Sequence, residues 1–171
     1  MYKKLIGITN TSVTSVDLQN IFTDDFSVYE INLHTLENSG DNKHMRFRFY
    51  DSSNAVISDG EYSYDYHNYR SDNETWSYNQ ASETDTSGYL GFFGGKSSAG
   101  SVMTIHLFNP KSSSHKTTFI CEANGYATTP YTRVQTVWGG HNNAEEITGI
   151  QFYETSSSSF VTFGVAVYGI G

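Results

Sequence analysis

Apolar and polar residues alternate with a period of two along segment after segment of this chain. That spacing places successive side chains on opposite faces of an extended strand. Tyr29, Ile31 and Leu33 are expected to point inward while Glu30, Asn32 and His34 point out. Met45, Phe47 and Phe49 alternate with His44, Arg46, Arg48 and Tyr50, and Met103, Ile105 and Leu107 alternate with Val102, Thr104, His106 and Phe108. Phe119 with Cys121, Val134 with Thr136 and Trp138, and Ile150 with Phe152 mark further strands. In the last, Val161, Phe163, Val165 and Val167 are expected on one side. The turn-forming run Asn38-Ser39-Gly40-Asp41-Asn42 predicts that the first two strands pair as a hairpin.

No stretch of ten residues carries a helical period, and composition explains why. Ser, Thr, Asn and Gly number 22, 18, 13 and 15, which is 68 of 171 residues, against 13 Ala plus Leu. The first group favours turns and strands over helix interiors. The prediction is an all-β, antiparallel, jelly-roll-like β-sandwich of about eight to ten strands. Strand signals run on without a Pro-rich linker or a charge block, so residues 11–171 form a single domain and residues 1–10 an N-terminal arm.

Charge and cysteine content exclude several functions. Ten Lys plus Arg against 18 Asp plus Glu leave a net charge of −8, which repels phosphate and disfavours nucleic-acid binding. The single cysteine, Cys121, excludes an internal disulfide and reads as an inert packed thiol. The apolar run after Lys3 and Lys4 is too short for a signal peptide, and none approaches a membrane span. The expected setting is therefore a reducing cytoplasm.

Catalytic and metal signatures are missing from the sequence. The six histidines are scattered without ligand spacing, so no metal and no cofactor are expected. Gly94-Gly95-Lys96-Ser97 lacks the first glycine of a phosphate loop, and no Gly-x-Ser-x-Gly elbow occurs. The expectation is a non-enzymatic protein with no catalytic residues.

One segment stands apart. Between Asp59 and Asp85 lie seven acids and one base, a net of −6, together with Tyr62, Tyr64, Tyr66, Tyr69, Trp76 and Tyr78. Tyr62, Tyr64 and Tyr66 are spaced to line an inward face. Tyr69, Trp76 and Tyr78 are the candidates for a stacking platform, on a sugar ring or on a partner protein. The segment reads as a strand followed by a long surface excursion.

The order of these pieces resembles a known family. It runs from Thr11-Ser12-Val13-Thr14-Ser15-Val16 through Tyr29-x-Ile31-x-Leu33 to Phe108-Asn109-Pro110, Lys116-Thr117-Thr118-Phe119 and Trp138. It closes with Ile147-Thr148-Gly149-Ile150-Gln151-Phe152, a Ser run and Val165-Ala166-Val167-Tyr168-Gly169-Ile170. Over nearly its whole length the chain is similar to the β-sandwich domain of virion structural proteins in tailed bacteriophages, especially those of marine and cyanobacterial hosts. The resemblance implies a capsid decoration, a knob, or a tail or fibre appendage, assembled in the host cytoplasm and located in the virion. Its partners would be major capsid or tail proteins. The short leading segment favours a small decoration or attachment protein, and the abundance of Tyr and Phe favours a homo-oligomer, expected to be a trimer. Lys3, Lys4, Leu5, Ile6 and Ile8 are the candidate anchoring residues, able to add an edge strand to a neighbour. The alternative is a receptor-binding module for a host surface glycan.

Overall fold

Every regular element among the described residues is a strand. The structure, a computed structural model, describes residues 2–38, 43–72, 74–80, 85–93, 100–126, 132–155 and 159–171. The turn expected at 39–42, the glycine-rich segment 94–97 and most of the Ser run, 156–158, lie outside them. In chain order the strands are β1 (Tyr2–Val13), β2 (Ser15–Leu18), β3 (Val28–Asn38), β4 (Lys43–Tyr50), β5 (Tyr62–Arg70) and β6 (Thr75–Gln80). They continue with β7 (Gly88–Phe93), β8 (Ser101–Phe108), β9 (Thr118–Tyr126), β10 (Thr132–His141), β11 (Gly149–Glu154) and β12 (Phe160–Ile170).

These twelve strands form two antiparallel sheets. One has eight strands in the order β1-β12-β3-β8-β9-β10-β5-β6, and the other has four in the order β2-β11-β4-β7. The alternating residues meet between them. Tyr29, Ile31, Leu33, Met103, Ile105, Leu107, Phe119 and Cys121 of the large sheet face Met45, Phe47, Phe49, Ile150 and Phe152 of the small one, and all are essentially fully buried. Nine of the eleven phenylalanines are buried. The richness in Phe is therefore a property of the core, which does not by itself require an interface.

Three sequence expectations are corrected. The motif Thr11 to Val16, which the resemblance takes as one strand near the start, breaks at Thr14, where the chain leaves the large sheet for the small one. β3 and β4 do not pair as a hairpin: β3 lies between β12 and β8, and β4 between β11 and β7. Alternation fixes which face of a strand is buried but not its neighbour, and these two strands bury their apolar faces across the sandwich instead of sharing an edge. Val161 is 43% exposed while Phe160 is buried, because register shifts between Phe160 and Gly164 reverse the phase of β12.

The excursion expected after β5 is a second strand. β5 and β6 form an edge hairpin from Asp65↔Gln80 to Arg70↔Thr75, and β5 pairs along its other edge with β10. Gly139 permits that approach, since a Cβ there would lie 2.2 Å from the Ser63 carbonyl oxygen. β7 packs across β9, β10 and β5, but the inward side chains of β6 (Thr75, Ser77 and Asn79) remain exposed. The large sheet therefore overhangs the small one at this edge.

Candidate functional site

The hairpin and β10 set five rings on the outer face of the eight-stranded sheet. Register places Tyr69 opposite Trp76 and His67 opposite Tyr78, with Val134, Thr136 and Trp138 of β10 beside Tyr69, His67 and Asp65. Inward positions on β5 go to Tyr62, Tyr64, Tyr66 and Asn68, so the residues between them must point out. Tyr62 and Tyr64 are buried and Tyr66 is half-buried, as their spacing predicts. Trp76 is 67% exposed and Tyr78 54%. Ring centroids lie 5.0 Å apart for Tyr69 and Trp76, 5.3 Å for His67 and Tyr78, and 5.1 Å for His67 and Trp138, the last two edge to face. Such contacts hold the rings in place before any ligand arrives.

Beside the rings lies a shallow groove of about 350 Å³ across β8, β9 and β10. Thr104, Glu122, Asn124 and Thr136 line it together with Val102 and Val134. Those two valines and Ile120 are each more than 40% exposed, which leaves apolar surface on both sides of a polar floor. Monomeric proteins seldom leave such patches bare without a use. Hydroxyl, amide and carboxylate groups next to flat rings can hydrogen-bond the hydroxyls of a sugar while the rings cover its apolar face.

Tyr69, Trp76 and Tyr78 are thus brought together on one surface, as neighbours across a strand pair. Sequence reasoning missed His67 and Trp138. The available signal was the run Val134 to Trp138, whose alternate set, Gln135 and Val137, is the buried one.

The segment carrying Lys3, Lys4, Leu5, Ile6 and Ile8 is strand β1 at the opposite edge of the same sheet, paired with β12. A register shift lies between Lys4 and Ile6, and Leu5, Ile6 and Ile8 pack against the chain's own core. Tyr2 rests against Tyr168 with centroids 5.0 Å apart. Its hydrogen bond to Glu30, with smaller contributions from burial and from the charge of Glu30, pushes its hydroxyl up to about 12.

A second cluster sits at one end of the sandwich. His141 is fully buried, with Nε2 3.4 Å from Asp59 Oδ1 and Nδ1 3.4 Å from Glu145 Oε1. Together the three residues place ligand atoms within 4.8 Å of one another and could hold a divalent cation. Burial first, and then the charges of Asp59 and Asp51, raise the Glu145 carboxyl against the pull of His141. Residue spacing hides this cluster, because Asp59 comes from the β4–β5 loop and the other two from the end of β10 and the loop after it.

No family model matches the chain, and no curated protein sequence matches it. Among solved structures the chain is similar to exo-inulinase from Aspergillus awamori, at TM-score 0.37 and 9% identity, with 100% of this chain over 29% of that one. It is also similar to alginate lyase from Alteromonas sp. 272, at TM-score 0.30 and 8% identity, with 95% of this chain over 91% of that one. A third is the CBM2 module of the evolved Dit of Lactobacillus casei BL23 phage J-1, at TM-score 0.24 and 8% identity, with 96% of this chain over 70% of that one. The chain thus spans less than a third of the exo-inulinase. Likenesses at this level carry no activity from those proteins to this chain.

Proposed function

We propose that this protein is a non-enzymatic attachment module of a bacteriophage particle that binds glycan on the outer face of its eight-stranded sheet. The observation that carries the reading is the exposure of Trp76 and Tyr78, ordered by Tyr69, His67 and Trp138 beside a polar groove. Exposed Trp and Tyr give large rigid contact area at low entropic cost. Placement on a virion is supported by the order of strand and turn motifs along the sequence.

The test is a Trp76→Ala, Tyr78→Ala double variant assayed for adsorption to host cells and to immobilised neutral glycans. Binding should fall by about tenfold or more, while the melting temperature stays close to that of the parent because both rings are solvent-facing. Unchanged adsorption refutes the reading. Turnover of the bound glycan would refute its non-enzymatic part.

A second reading, a capsid decoration assembled as a homotrimer, is favoured by β1. Among the described residues no strand pairs with its outer edge, so a neighbouring chain could extend the sheet there. Light scattering should then report a trimer, and a monomer at particle-like concentrations removes this version. Deleting the segment is a poor test, since Leu5, Ile6 and Ile8 also pack against the core.

A further inference from the structure

His141 ends β10 with its imidazole inside the fold. The side chain is fully buried and edge-on to two rings, with centroids 5.0 Å from Tyr62 and 6.4 Å from Phe49, and this packing fixes its orientation. Both ring nitrogens face carboxylates: Nε2 lies 3.4 Å from Asp59 Oδ1, and Nδ1 lies 3.4 Å from Glu145 Oε1. Such separations are long against the N···O distance of about 2.9 Å that hydrogen bonds prefer. The buried Nδ1 makes no hydrogen bond at all. A buried polar atom in that condition carries a cost that a ligand can remove.

The two loops that bring the carboxylates are clamped on either side of them. Asp59 lies between Ile57, whose N–H donates to the Phe49 carbonyl at 2.8 Å, and Glu61, whose carbonyl accepts from Asn142 N–H at 2.7 Å. Glu145 lies between that Asn142 and Ile147, whose N–H donates to the Pro110 carbonyl at 2.7 Å. Asn143 Nδ2 approaches Asp59 Oδ2 at 3.5 Å. The backbone is thus set before any ligand binds, while the side chains of Asp59 and Glu145, 43% and 35% exposed, can close on one.

One imidazole nitrogen and two carboxylate oxygens converge here within 4.8 Å of one another. Around a tetrahedral zinc ion with bonds of about 2.0–2.2 Å, neighbouring ligand atoms stand about 3.3–3.5 Å apart. The 3.4 Å contacts already have the spacing of such an edge. Magnesium and calcium favour shells of oxygen alone, whereas an imidazole beside carboxylates suits zinc. Electrostatics points the same way, because burial and the negative charges of Asp59 and Asp51 raise the Glu145 carboxyl against the pull of His141, and a dication among them would reverse that.

We propose that His141, Asp59 and Glu145 bind one zinc ion, with water in the fourth position, and that the ion ties the β4–β5 loop to the loop after β10. This departs from the expectation of no metal drawn from histidine spacing, since two of the three ligands are carboxylates that the loops supply. It does not depend on the glycan-binding reading.

Zinc chloride titrated by calorimetry into the full, EDTA-treated chain tests the proposal. One site should appear, and zinc at a hundredfold excess over its Kd should raise the melting temperature by about 5–10 °C. Calcium chloride should bind at least about tenfold more weakly. The double variant Asp59→Asn, Glu145→Gln keeps the buried ring and changes only partly exposed side chains; it should weaken zinc by about a hundredfold or more. In the unaltered protein, zinc should shift the imidazole proton resonances of His141 and leave those of the exposed His34 and His115 in place. Trp76→Ala should leave the zinc titration unchanged. The absence of binding at millimolar zinc, undiminished binding by the double variant, or calcium binding as tight as zinc overturns the proposal. So does a shift of the exposed histidines in place of His141, which would mark adventitious surface zinc.

Discussion

Tyr62→Phe removes one oxygen atom and should lower stability by several kilocalories. β7 pairs with β4 only as far as Phe47, so at Phe49 that edge of β4 has no strand beside it. The loop fills the gap: Ile57 N–H donates to the Phe49 carbonyl at 2.8 Å, and Phe49 N–H donates to the Tyr62 hydroxyl at 2.8 Å. The hydroxyl in turn donates to the Ile57 carbonyl at 3.2 Å. Tyr62 is fully buried against Phe47, Phe49 and His141, which raises its hydroxyl pKa through desolvation. Phenylalanine would keep the packing but leave a buried N–H and a buried carbonyl without their partner, at about 1–3 kcal/mol each. We expect a loss of about 2–4 kcal/mol, read as a lower urea midpoint at unchanged slope. The melting temperature should fall by roughly 5–15 °C for a domain of this size. A loss below about 1 kcal/mol would refute the reasoning, because a second donor would have to reach the Ile57 carbonyl. Tyr78→Phe is the matched control and should change stability by less than about 0.5 kcal/mol.

Cys121 is fully buried, its thiol is raised by desolvation, and it donates to the Leu90 carbonyl at 3.2 Å. It should resist a thiol reagent in the native protein and react once per chain in denaturant; rapid native labelling would contradict this. Gly139→Ala should cost at least about 2 kcal/mol, because the new Cβ meets the Ser63 carbonyl oxygen at 2.2 Å and Tyr64 Cβ at 2.8 Å. An unchanged urea midpoint would show that β5 and β10 can part without penalty. Acid should destabilise the fold. Burial pushes the Glu30 carboxyl up, but bonds from Tyr2 and Asn32 and the attraction of His106 together lower it, and Asp51 is lowered by Ser53 and Ala55. A carboxylate lowered on folding stabilises above its ordinary range and loses that contribution as pH falls through the folded value. Glu145 is raised and acts in the opposite sense. Chemical denaturation from pH 6 down to pH 3 should show declining stability, less steep in Glu30→Gln; an equal slope in that variant would remove Glu30 as a cause.

Alternation in the sequence was enough to place Tyr29, Ile31, Leu33, Phe47, Phe49, Ile105 and Leu107 in the core, because burial on one face is a local property of a strand. Partnership is not local. Nothing between Leu33 and Met45 distinguishes a hairpin from a crossing between sheets, and the outcome depends on the edges that β8, β11 and β12 offer from far along the chain. The phase reversal at Val161 is invisible for a related reason, since a bulge is an agreement between two strands. Tyr69, Trp76 and Tyr78 were legible as a group because they sit close in sequence around a turn. His141 with Asp59 was not, because their contact spans 82 positions. The opposition of Arg70 and Arg133 across β5 and β10 is likewise set by strand pairing and by nothing local in the sequence.

The β5–β6 hairpin presents different chemistry on its two faces because strand geometry allows nothing else at an overhanging edge. His67, Tyr69, Trp76 and Tyr78 occupy one set of positions, and Tyr66, Asn68, Arg70, Ser77 and Asn79 the other. Had the second set been apolar, the large sheet would bare a greasy inner surface beyond the cover of β7, an aggregation hazard at an edge. A polar set avoids that hazard: Asn68 Nδ2 donates to Ser77 Oγ at 3.3 Å, and Arg70 is held by Asp72 at 2.6 Å. A slip of one residue between β5 and β6 would exchange the faces, turning Trp76 and Tyr78 inward and Ser77 and Asn79 outward. Ring contacts between Tyr69 and Trp76 and between His67 and Tyr78 oppose that slip. The aromatic row therefore sets the register on which the polar face behind it depends, and loosening the rings should disturb that face only where it also shifts the strand.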